Sequence, residues 1–365
     1  MLSAFLALVA LFLAYANGTN DNFKGVATLY GSGRLAFGPA LWLGNLATLG
    51  GSLAALFFAH ALLAKFSGQG LVPNTVTVQP AFAFAVVGAA GLTVLAATRF
   101  GFPVSTTHAL VGALVGAGLF ASPLGVHWQA LEGSFLKPLL LSPFLAIAGA
   151  AVFFPPYRAM ARRLGLDGDA CLCAATPLRA TDGPSAPMGG VLFLVTGTLQ
   201  DCAPAKPLLS AAGLRDGLHV LSGAAVSFAR GLNDTPKITA LLVLATGLGL
   251  NFSLPLIAGA ILVGGWLGAR RVAETMSHRI TSMDENEGVA ANFVTAGLVL
   301  GASALGSPVS TTHVACGALF GVGAVTGRAR WATVGGIVAA WVITLPLAAL
   351  LGMAGYRLLA LGLAR

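Results

Sequence analysis

A short polar motif interrupts the apolar sequence at the beginning of this 365-residue chain. Residues 1–30 are mostly apolar, but positions 20–24 read Asn-Asp-x-x-Lys. A carboxylate at the centre of a membrane helix costs about 2.5–3.5 kcal/mol on insertion scales, so such a residue usually marks a function. The same motif returns 213 positions later, at 233–237, again within apolar sequence. Any fold for this chain therefore has to accommodate two sets of charged side chains in apolar surroundings.

The composition indicates a membrane protein. Hydrophobic residues make up 56% of the chain and charged residues only 9%, whereas soluble domains carry about 25% charged residues. Apolar runs of about 17 to 25 residues recur, and this length crosses about 30 Å of hydrocarbon. The 48 glycines suit close packing between membrane helices. We therefore expect an all-α polytopic membrane protein surrounded by lipid.

The net charge of +8 does not indicate a nucleic-acid partner. The Lys and Arg residues lie mostly at the ends of apolar runs, where such residues set the orientation of membrane helices, and they do not form a basic patch. The cysteines are interpreted as reduced thiols without a role, with a zinc site as the alternative. They are Cys171, Cys173, Cys202 and Cys316.

A second motif, Pro-Val-Ser-Thr-Thr-His, is also present twice, at 103–108 and 308–313. Both motifs occur in the same order, so the chain is predicted to consist of two repeats. The predicted boundaries are a first transmembrane repeat at 1–160, a cytoplasmic polar linker at 161–216 and a second transmembrane repeat at 217–365.

Each repeat is predicted to contain about five membrane segments, some of them interrupted. The first apolar run is expected to break at 17–22 and its counterpart at 230–237. Each Ser-Thr-Thr-His segment either interrupts a span or forms a re-entrant hairpin. The first run has no basic residue before it and is interpreted as a retained helix, not a signal peptide. In the linker, Gly190–Leu199 is too short to span and is interpreted as a strand or a core segment.

The distribution of basic residues predicts the orientation of the repeats. With five crossings per repeat and the N-terminus outside, thirteen of the twenty Lys and Arg residues face the cytoplasm, four face outward and three lie at membrane depth. This bias favours extracytoplasmic termini and a cytoplasmic linker in a multi-pass protein of the cell membrane. An odd number of crossings inverts the second repeat. Inverted repeats with broken helices at the midplane are typical of secondary transporters.

The Pro-Val-Ser-Thr-Thr-His motif has the features of a helix start. Proline ends the preceding helix, serine is a favourable N-cap, and an apolar run follows. A helix that begins inside the membrane presents unpaired N–H groups and a partial positive charge, which together bind anions. Two inverted copies can therefore surround one tetrahedral oxyanion. The hydroxyls that add donors belong to Ser105, Thr106, Thr107, Ser310, Thr311 and Thr312.

Histidine ends both copies of this motif. His108 and His313 each either bond a hydroxyl or carbonyl group structurally or titrate. The other histidines stand alone near the ends of apolar runs and are interpreted as solvated. They are His60, His127, His219 and His278.

The Asn-Asp-x-x-Lys motif supports two compatible interpretations. In the first, amide and carboxylate oxygens bind a small coupling cation. In the second, each aspartate neutralises the lysine three residues later on the same helix face. The candidate cation ligands are Asn20, Asp21, Asn233 and Asp234.

Three basic side chains at membrane depth are further candidates for binding the anion: Lys24, Lys237 and Arg230. Arg230 stands where the first copy has Asn17. Its guanidinium group either binds the oxyanion directly or pairs with Asp234.

Together, the paired Gly-x-Asn-Asp and Pro-x-Ser-Thr-Thr-His motifs resemble those of the inorganic phosphate transporter (Pit) family. The resemblance covers both repeats, about 310 of the 365 residues. It implies a secondary transporter of inverted repeats that moves phosphate together with Na⁺ or H⁺, with no other cofactor. It also implies that the motif hydroxyls hold the anion and that the Asn-Asp residues help to hold the coupling ion. A homodimer is plausible for such a transporter.

One departure from the family pattern concerns the coupling ion. Many members have Asn-Asp-x-x-Asn, whereas this chain has Lys24 and Lys237. A lysine ammonium group can occupy the space of a bound cation and supply its charge. Our hypothesis is that at least one Na⁺ site is replaced, so that transport is coupled to H⁺ or to fewer Na⁺ ions.

Other functions compete with phosphate transport. The family also includes sulfate permeases, and spacing alone does not separate the two substrates. Phosphate can donate a hydrogen bond, so a buried acceptor such as Asp21 or Asp234 favours phosphate. An anion channel could use the same helix starts, but it could not concentrate its ion. An intramembrane phosphatase using His108 or His313 is disfavoured because no set of nucleophile, base and orienting residue is present, so we expect no enzyme.

Overall fold

The helical class predicted for the membrane part is confirmed in the computed structural model of this chain. The structure describes residues 2–58, 62–63, 66, 70–122, 125–166, 170–175, 193–198 and 206–363. Seven helices in this part are long and apolar enough to cross a membrane. Many large apolar side chains on the helices are exposed, among them Trp42, Phe57 and Leu267. Such a surface suits hydrocarbon and not water, as expected of a multi-pass membrane protein.

The described part of the first half is helical. Its elements are α1 (Leu2–Asp21), a 3₁₀ turn (Lys24–Val26), α2 (Ala27–Gly31), α3 (Phe37–Phe58), α4 (Asn74–Thr77), α5 (Pro80–Arg99), α6 (Thr106–Ala121), α7 (Trp128–Leu131), a π-helical turn (Glu132–Leu136) and α8 (Lys137–Arg163).

A small sheet separates the two halves. Its strands are β1 (Ala170–Ala175), β2 (Phe193–Thr198) and β3 (Lys206–Ser210), and β1 lies between the other two in antiparallel pairing. The strand interpretation of Gly190–Leu199 is thus confirmed for residues 193–198, while the ends of that segment lie outside the described residues.

The second half is also helical. It contains α9 (Ala211–Thr246), α10 (Leu250–Gly268), α11 (Arg270–Glu274), a π-helical turn (Thr275–Arg279), α12 (Glu285–Ala304), α13 (Thr311–Thr326) and α14 (Trp331–Leu363).

The predicted helix breaks were placed incorrectly. In the first half, helix α1 continues through Asp21, and the interruption follows at residues 22–26 instead of 17–22. In the second half, α9 is continuous through 230–237 although it contains Pro236. A proline inside a helix removes one backbone hydrogen bond. The helix nevertheless continues, and its buried polar side chains have partners on other helices, described below.

Two pairs of helices carry the Ser-Thr-Thr-His motifs. We call α5 with α6 the first helix pair, and α12 with α13 the second. In each pair the chain turns at a glycine with positive φ, Gly101 at 75° and Gly306 at 59°. A short extended segment then leads to the next helix, and that helix is capped by serine. Helices α6 and α13 have 16 residues each, about 24 Å of helix, which is shorter than the hydrocarbon core.

Close glycine contacts recur at equivalent positions in the two halves. A Cβ atom at Gly18 would lie 2.0 Å from a carbonyl oxygen of α10, and one at Gly264 would lie 2.1 Å from a carbonyl oxygen of α1. In the same way, a Cβ atom at Gly231 would lie 2.1 Å from a carbonyl oxygen of α3, and one at Gly51 would lie 1.9 Å from a carbonyl oxygen of α9. Helices α1 and α10 therefore pack together as α9 and α3 do, 213 positions apart.

The polar motifs lie between two large apolar clusters. Residues of α1 up to Ala16 belong to one cluster, together with α5, α6 and the second half of α9. Residues from Phe23 onwards belong to the other, together with α12 and α13. The charged side chains of 17–24 are therefore held where the two clusters meet.

Replacing Gly51 by alanine is expected to destabilise the protein, whereas replacing its neighbour Gly50 is not. The new methyl group at Gly51 would lie 1.9 Å from the Phe228 carbonyl oxygen, so the helices would have to separate. Overpacking of this kind costs about 1–3 kcal/mol. At Gly50 the nearest atom is 3.8 Å away, an ordinary contact. Thermal melting of the purified variants in detergent measures the difference, and equal midpoints would contradict the close approach.

Candidate functional site

The two pairs of motifs come together in one buried polar cluster. All of the predicted site residues are at most 6% exposed. They are Asn20, Asp21, Lys24, Ser105, Thr106, Thr107, His108, Arg230, Asn233, Asp234, Lys237, Ser310, Thr311, Thr312 and His313. The cluster contains three cationic and two anionic side chains, so it carries a net positive charge.

Four oxygen atoms surround the ammonium group of Lys24. Its Nζ donates to Asp21 Oδ1, to Asn20 Oδ1 at 2.9 Å and to the carbonyl oxygen of Val104 at 3.2 Å. The fourth oxygen is the hydroxyl of Thr312, at 2.5 Å, which belongs to the second helix pair. Lys24 therefore links α1 to both helix pairs.

The ammonium group of Lys237 has an equivalent set of oxygens. Its Nζ donates to Asn233 Oδ1, to Asp234 Oδ1 at 3.1 Å and to the carbonyl oxygen of Val309 at 2.9 Å. The fourth oxygen is the hydroxyl of Thr107, at 2.9 Å, which belongs to the first helix pair. Each lysine thus binds the Asp of its own half and a threonine of the other half.

Both lysines occupy positions that would suit a small cation. Each set of four oxygens consists of a carboxylate, an amide, a backbone carbonyl and a hydroxyl group. These are the hard oxygen ligands that alkali and alkaline-earth cations bind. The Asn-Asp residues predicted to bind a cation are therefore together, and in this structure their oxygens bind lysine.

Arg230 breaks the equivalence of the two halves. Its Nη2 donates to Asn17 Oδ1 at 2.6 Å, and its Nη1 donates to Asn22. Its Nε lies 3.5 Å from Asp234 Oδ2. The predicted pairing of Arg230 with Asp234 is thus present, and the arginine also contacts Asn17, the residue that it replaces in the repeat. Asp21 in turn accepts from Asn17 Nδ2 at 2.7 Å.

The serines of the motifs cap the helices as predicted. Ser105 Oγ accepts from the backbone N–H of His108, and Ser310 Oγ accepts from that of His313, both at 3.1 Å. A capping serine satisfies one of the free N–H groups at a helix start. This contact fixes the orientation of the first turn of each helix.

The first threonine of each motif binds the aspartate of its own half. Thr106 Oγ1 donates to Asp21 Oδ2 at 3.2 Å, and Thr311 Oγ1 donates to Asp234 Oδ2 at 2.9 Å. Four of the six hydroxyls predicted to surround an anion, those of the threonines, thus contact the charged groups, whereas the two serine hydroxyls cap the helices.

The two motif histidines meet at the centre of the molecule. The ring centroids of His108 and His313 are 4.4 Å apart, and the ring of His313 stacks on Trp341 at 3.9 Å. The indole Nε1 of Trp341 donates to the carbonyl oxygen of Pro103 at 2.9 Å. The starts of α6 and α13 therefore face each other across a short distance.

Some functional features could not be found by sequence reasoning. The carbonyl groups of Val104 and Val309 carry no signal in the sequence because any residue supplies one. His219 was wrongly interpreted as solvated: it is fully buried, and its Nε2 lies 3.1 Å from Thr28 Oγ1. The interpretation holds for His127 and His278, which are exposed.

The remaining sequence predictions concern His60 and the four cysteines. His60 and Cys202 lie outside the described residues, and Cys171 and Cys173 lie in β1. Cys316 is buried with its Sγ 3.3 Å from Met276 Sδ. Among the described residues, no group of His, Cys, Asp and Glu could hold a metal ion.

Lys24→Met is expected to destabilise the protein more than Lys237→Met. Removing one partner of a buried ion pair costs about 3–5 kcal/mol because it leaves an uncompensated charge. In Lys237→Met, Asp234 would still have Arg230 at 3.5 Å. In Lys24→Met, Asp21 would lose its ion pair with Lys24, and the described residues form no other ion pair with Asp21. Thermal melting of both variants in detergent compares the two losses, and a larger loss for Lys237→Met would contradict this assignment.

Known proteins resemble this chain along its whole length. A sequence model of the phosphate transporter family matches residues 17–352. A probable low-affinity inorganic phosphate transporter of Rhizobium meliloti (strain 1021) is 32% identical over 365 aligned residues, covering 96% of this chain and 94% of the relative. The chloroplastic inorganic phosphate transporter 2-1 of Arabidopsis thaliana is 28% identical, covering 97% of this chain and 71% of the relative.

A solved structure has the same fold. It is a sodium-dependent phosphate transporter with a TM-score of 0.75 and 22% sequence identity, and the match covers 99% of both chains. At this level of identity the likeness concerns the fold alone. The match to the family model spans most of the sequence, and this chain therefore belongs to the phosphate transporter family.

Proposed function

We propose that this protein is a secondary transporter that imports inorganic phosphate across the cell membrane by alternating access. The observation that carries the proposal is the pair of helix starts that meet in a buried cluster of net positive charge. Helix N-termini, hydroxyl donors and cationic side chains are the groups that bind oxyanions in proteins. The phosphate-transporting relatives support the same substrate.

The burial of the site supports a carrier and not a channel. Every predicted site residue is at most 6% exposed, so the site is closed to both sides in this structure. A channel needs a continuous path through which its ion can enter and leave. A carrier has to close around its substrate between two openings.

The two aspartates support phosphate over sulfate. Asp21 and Asp234 accept hydrogen bonds from Thr106 and Thr311, which belong to the helix starts. An acceptor beside the anion can receive a hydrogen bond from protonated phosphate, whereas sulfate would leave it unpaired. Sulfate transport within the same family remains the alternative that the uptake experiment below decides.

The lysines support coupling to H⁺. Each ammonium group lies among four oxygens that would otherwise suit a metal cation. Since the ammonium supplies the positive charge at both places, we propose that Na⁺ is not bound there. The sodium dependence of the structural neighbour concerns that protein. Na⁺ coupling through a different site is the competing outcome.

The repeat architecture fits the proposed mechanism. The recurring glycine contacts and the matching lysine partners support two repeats at 1–160 and 217–365, joined by a segment at 161–216. We propose that the repeats are inverted relative to each other, with the joining segment in the cytoplasm and both termini outside. In such folds one half moves against the other around a fixed central site.

Uptake into proteoliposomes tests the proposed function. Radiolabelled phosphate is supplied with Na⁺ and pH gradients imposed separately, and excess sulfate is added as competitor. We expect accumulation of phosphate driven by the pH gradient and resistant to sulfate. Uptake that stops at equilibrium would indicate a channel. Accumulation of sulfate, or phosphate uptake driven by Na⁺ alone, would contradict the proposed substrate or coupling ion.

Thr106→Val is expected to raise the KM for phosphate about tenfold. The substitution keeps the shape but removes a hydroxyl, and a hydrogen bond to a charged group contributes about 1.5–3 kcal/mol. Thr344→Val is the matched control, since Thr344 is also buried but bonds the carbonyl oxygen of Ala340 on its own helix at 2.6 Å. A KM that is unchanged in Thr106→Val would remove this hydroxyl from the anion site.

A further inference from the structure

A row of buried polar side chains connects the central cluster with one end of the molecule. We call this row the polar seam. It lies where α9 and α12 pack against each other and against α2. Its members are Thr28, His219, Ser222, Asn292 and Thr295, each at most 3% exposed.

Hydrogen bonds join four of the five members of the polar seam, and Thr295 bonds the carbonyl oxygen of Ala291 on its own helix. Asn292 Nδ2 donates to Thr28 Oγ1 at 2.9 Å and to Ser222 Oγ at 3.1 Å. His219 Nε2 lies 3.1 Å from the same Thr28 hydroxyl. The other ring nitrogen of His219, Nδ1, is buried without a hydrogen-bond partner among the described residues. The middle of the seam is therefore closed by a contact between three elements.

At its inner end the polar seam reaches the central site. A small cavity of about 10 Å³ lies there, and its lining includes Lys24, Thr28, Asn292 and Thr295. This volume is at the lower limit for one water molecule. Phosphate does not fit, so the helices around the seam would have to separate for an anion to pass.

At its outer end the polar seam meets a group of ion pairs. Arg34 Nη2 lies 2.8 Å from Asp216 Oδ2, and Arg215 pairs with Glu285. From Asp216 to the central Asp234, α9 rises about 27 Å. The outer ion pairs and the central aspartate are thus separated along α9 by nearly the thickness of a hydrocarbon core.

The other half has apolar residues at the equivalent positions. The spacing of the repeated motifs aligns His219 with Leu6, and Asn292 with Val87. It likewise aligns Ser222 with Val9, Thr28 with Leu241, and Thr295 with Ala90. These counterparts pack within the apolar clusters of the structure.

Stability alone does not account for the polar seam. Burying amide, imidazole and hydroxyl groups costs free energy that hydrogen bonds only partly return. The first half shows that apolar residues fill the same positions in this fold. An anion that leaves water needs donors along its path, and the polar seam supplies them while its apolar counterpart has none.

We propose that the polar seam is the route by which phosphate passes between the central site and one face of the membrane, with the Thr28–His219–Asn292 contact as its gate. This inference rests on the proposed transport of phosphate. The route opens when α9 and α12 move apart and the three gate residues exchange their mutual hydrogen bonds for the anion or water. The apolar counterpart remains closed in this state of the transporter.

Cysteine labelling tests whether the polar seam opens. In a transporter whose four native cysteines are replaced, Thr295→Cys is compared with Thr239→Cys. Both threonines are buried, and each hydroxyl bonds a carbonyl oxygen of its own helix, at 2.7 Å and 2.8 Å. Thr295 lies on the seam, whereas Thr239 lies beyond the central site on α9. Proteoliposomes are treated with an anionic, membrane-impermeant methanethiosulfonate during phosphate exchange, and labelling is read by intact mass.

We expect Thr295→Cys to be labelled from one side of the membrane only, with a loss of phosphate uptake of at least tenfold. Thr239→Cys is expected to stay unlabelled under the same conditions. An unlabelled Thr295→Cys in a variant that still transports phosphate would overturn the route, as would equal labelling of both cysteines. Failure of the unmodified protein to transport phosphate would instead contradict the proposed function, and the mass readout on the cysteine variants would still report whether the seam opens.

Asn292→Val replaces one gate residue by the residue type at the equivalent position of the other half, Val87. A structural role for Asn292 predicts a lower melting midpoint and normal uptake by the folded fraction. The proposed route predicts uptake reduced at least tenfold with an unchanged or higher melting midpoint. Normal uptake by a stable Asn292→Val variant would contradict the gate.

Discussion

The structure depends on two buried ion pairs, each between a lysine and the aspartate three residues before it. A charged group alone at this depth would be far more costly than a paired one, and both pairs are also hydrogen-bonded to neighbouring helices. Lys24 binds Asp21 and Thr312, and Lys237 binds Asp234 and Thr107. The same contacts that neutralise the charges therefore hold the two halves together. We infer that a change in the charge of either lysine also changes the contacts between the two halves.

The two halves share their motifs and the contacts of their lysines, and two departures from this likeness bear on the proposed function. Arg230 replaces Asn17 and gives the cluster its net positive charge, which favours an anion. The polar seam replaces apolar residues on one side of the site only. Close to the site the two halves make equivalent hydrogen bonds, since Asn20 donates to Thr98 and Asn233 donates to Ser303. The halves differ farther out, where a path to water would have to lie.

Much of this arrangement could be predicted from the sequence because it depends on local patterns. Serine after Pro-Val predicts a helix cap, and Ser105 and Ser310 are caps. The three-residue spacing of Asp21 and Lys24 predicts their contact. What could not be predicted depends on the register between distant segments. Nothing near Thr107 indicates that it binds Lys237, and nothing near His219 indicates that α2 and α12 bury it. Likewise, nothing near Pro236 indicates that α9 continues through it.

The central claim is that lysine ammonium groups occupy cation positions in both halves. The double variant Lys24→Asn/Lys237→Asn tests it most directly, because it removes both ammonium groups and introduces the Asn-Asp-x-x-Asn pattern that the family resemblance implies. Phosphate uptake is measured in proteoliposomes with Na⁺ varied at fixed pH and membrane potential, and Lys137→Asn, a change at an exposed lysine, is the control. We predict uptake that is independent of Na⁺ in the unmodified protein and in the control, and uptake that requires Na⁺ in the double variant. Steep Na⁺ dependence of the unmodified protein, or a folded double variant whose uptake ignores Na⁺, would contradict the account.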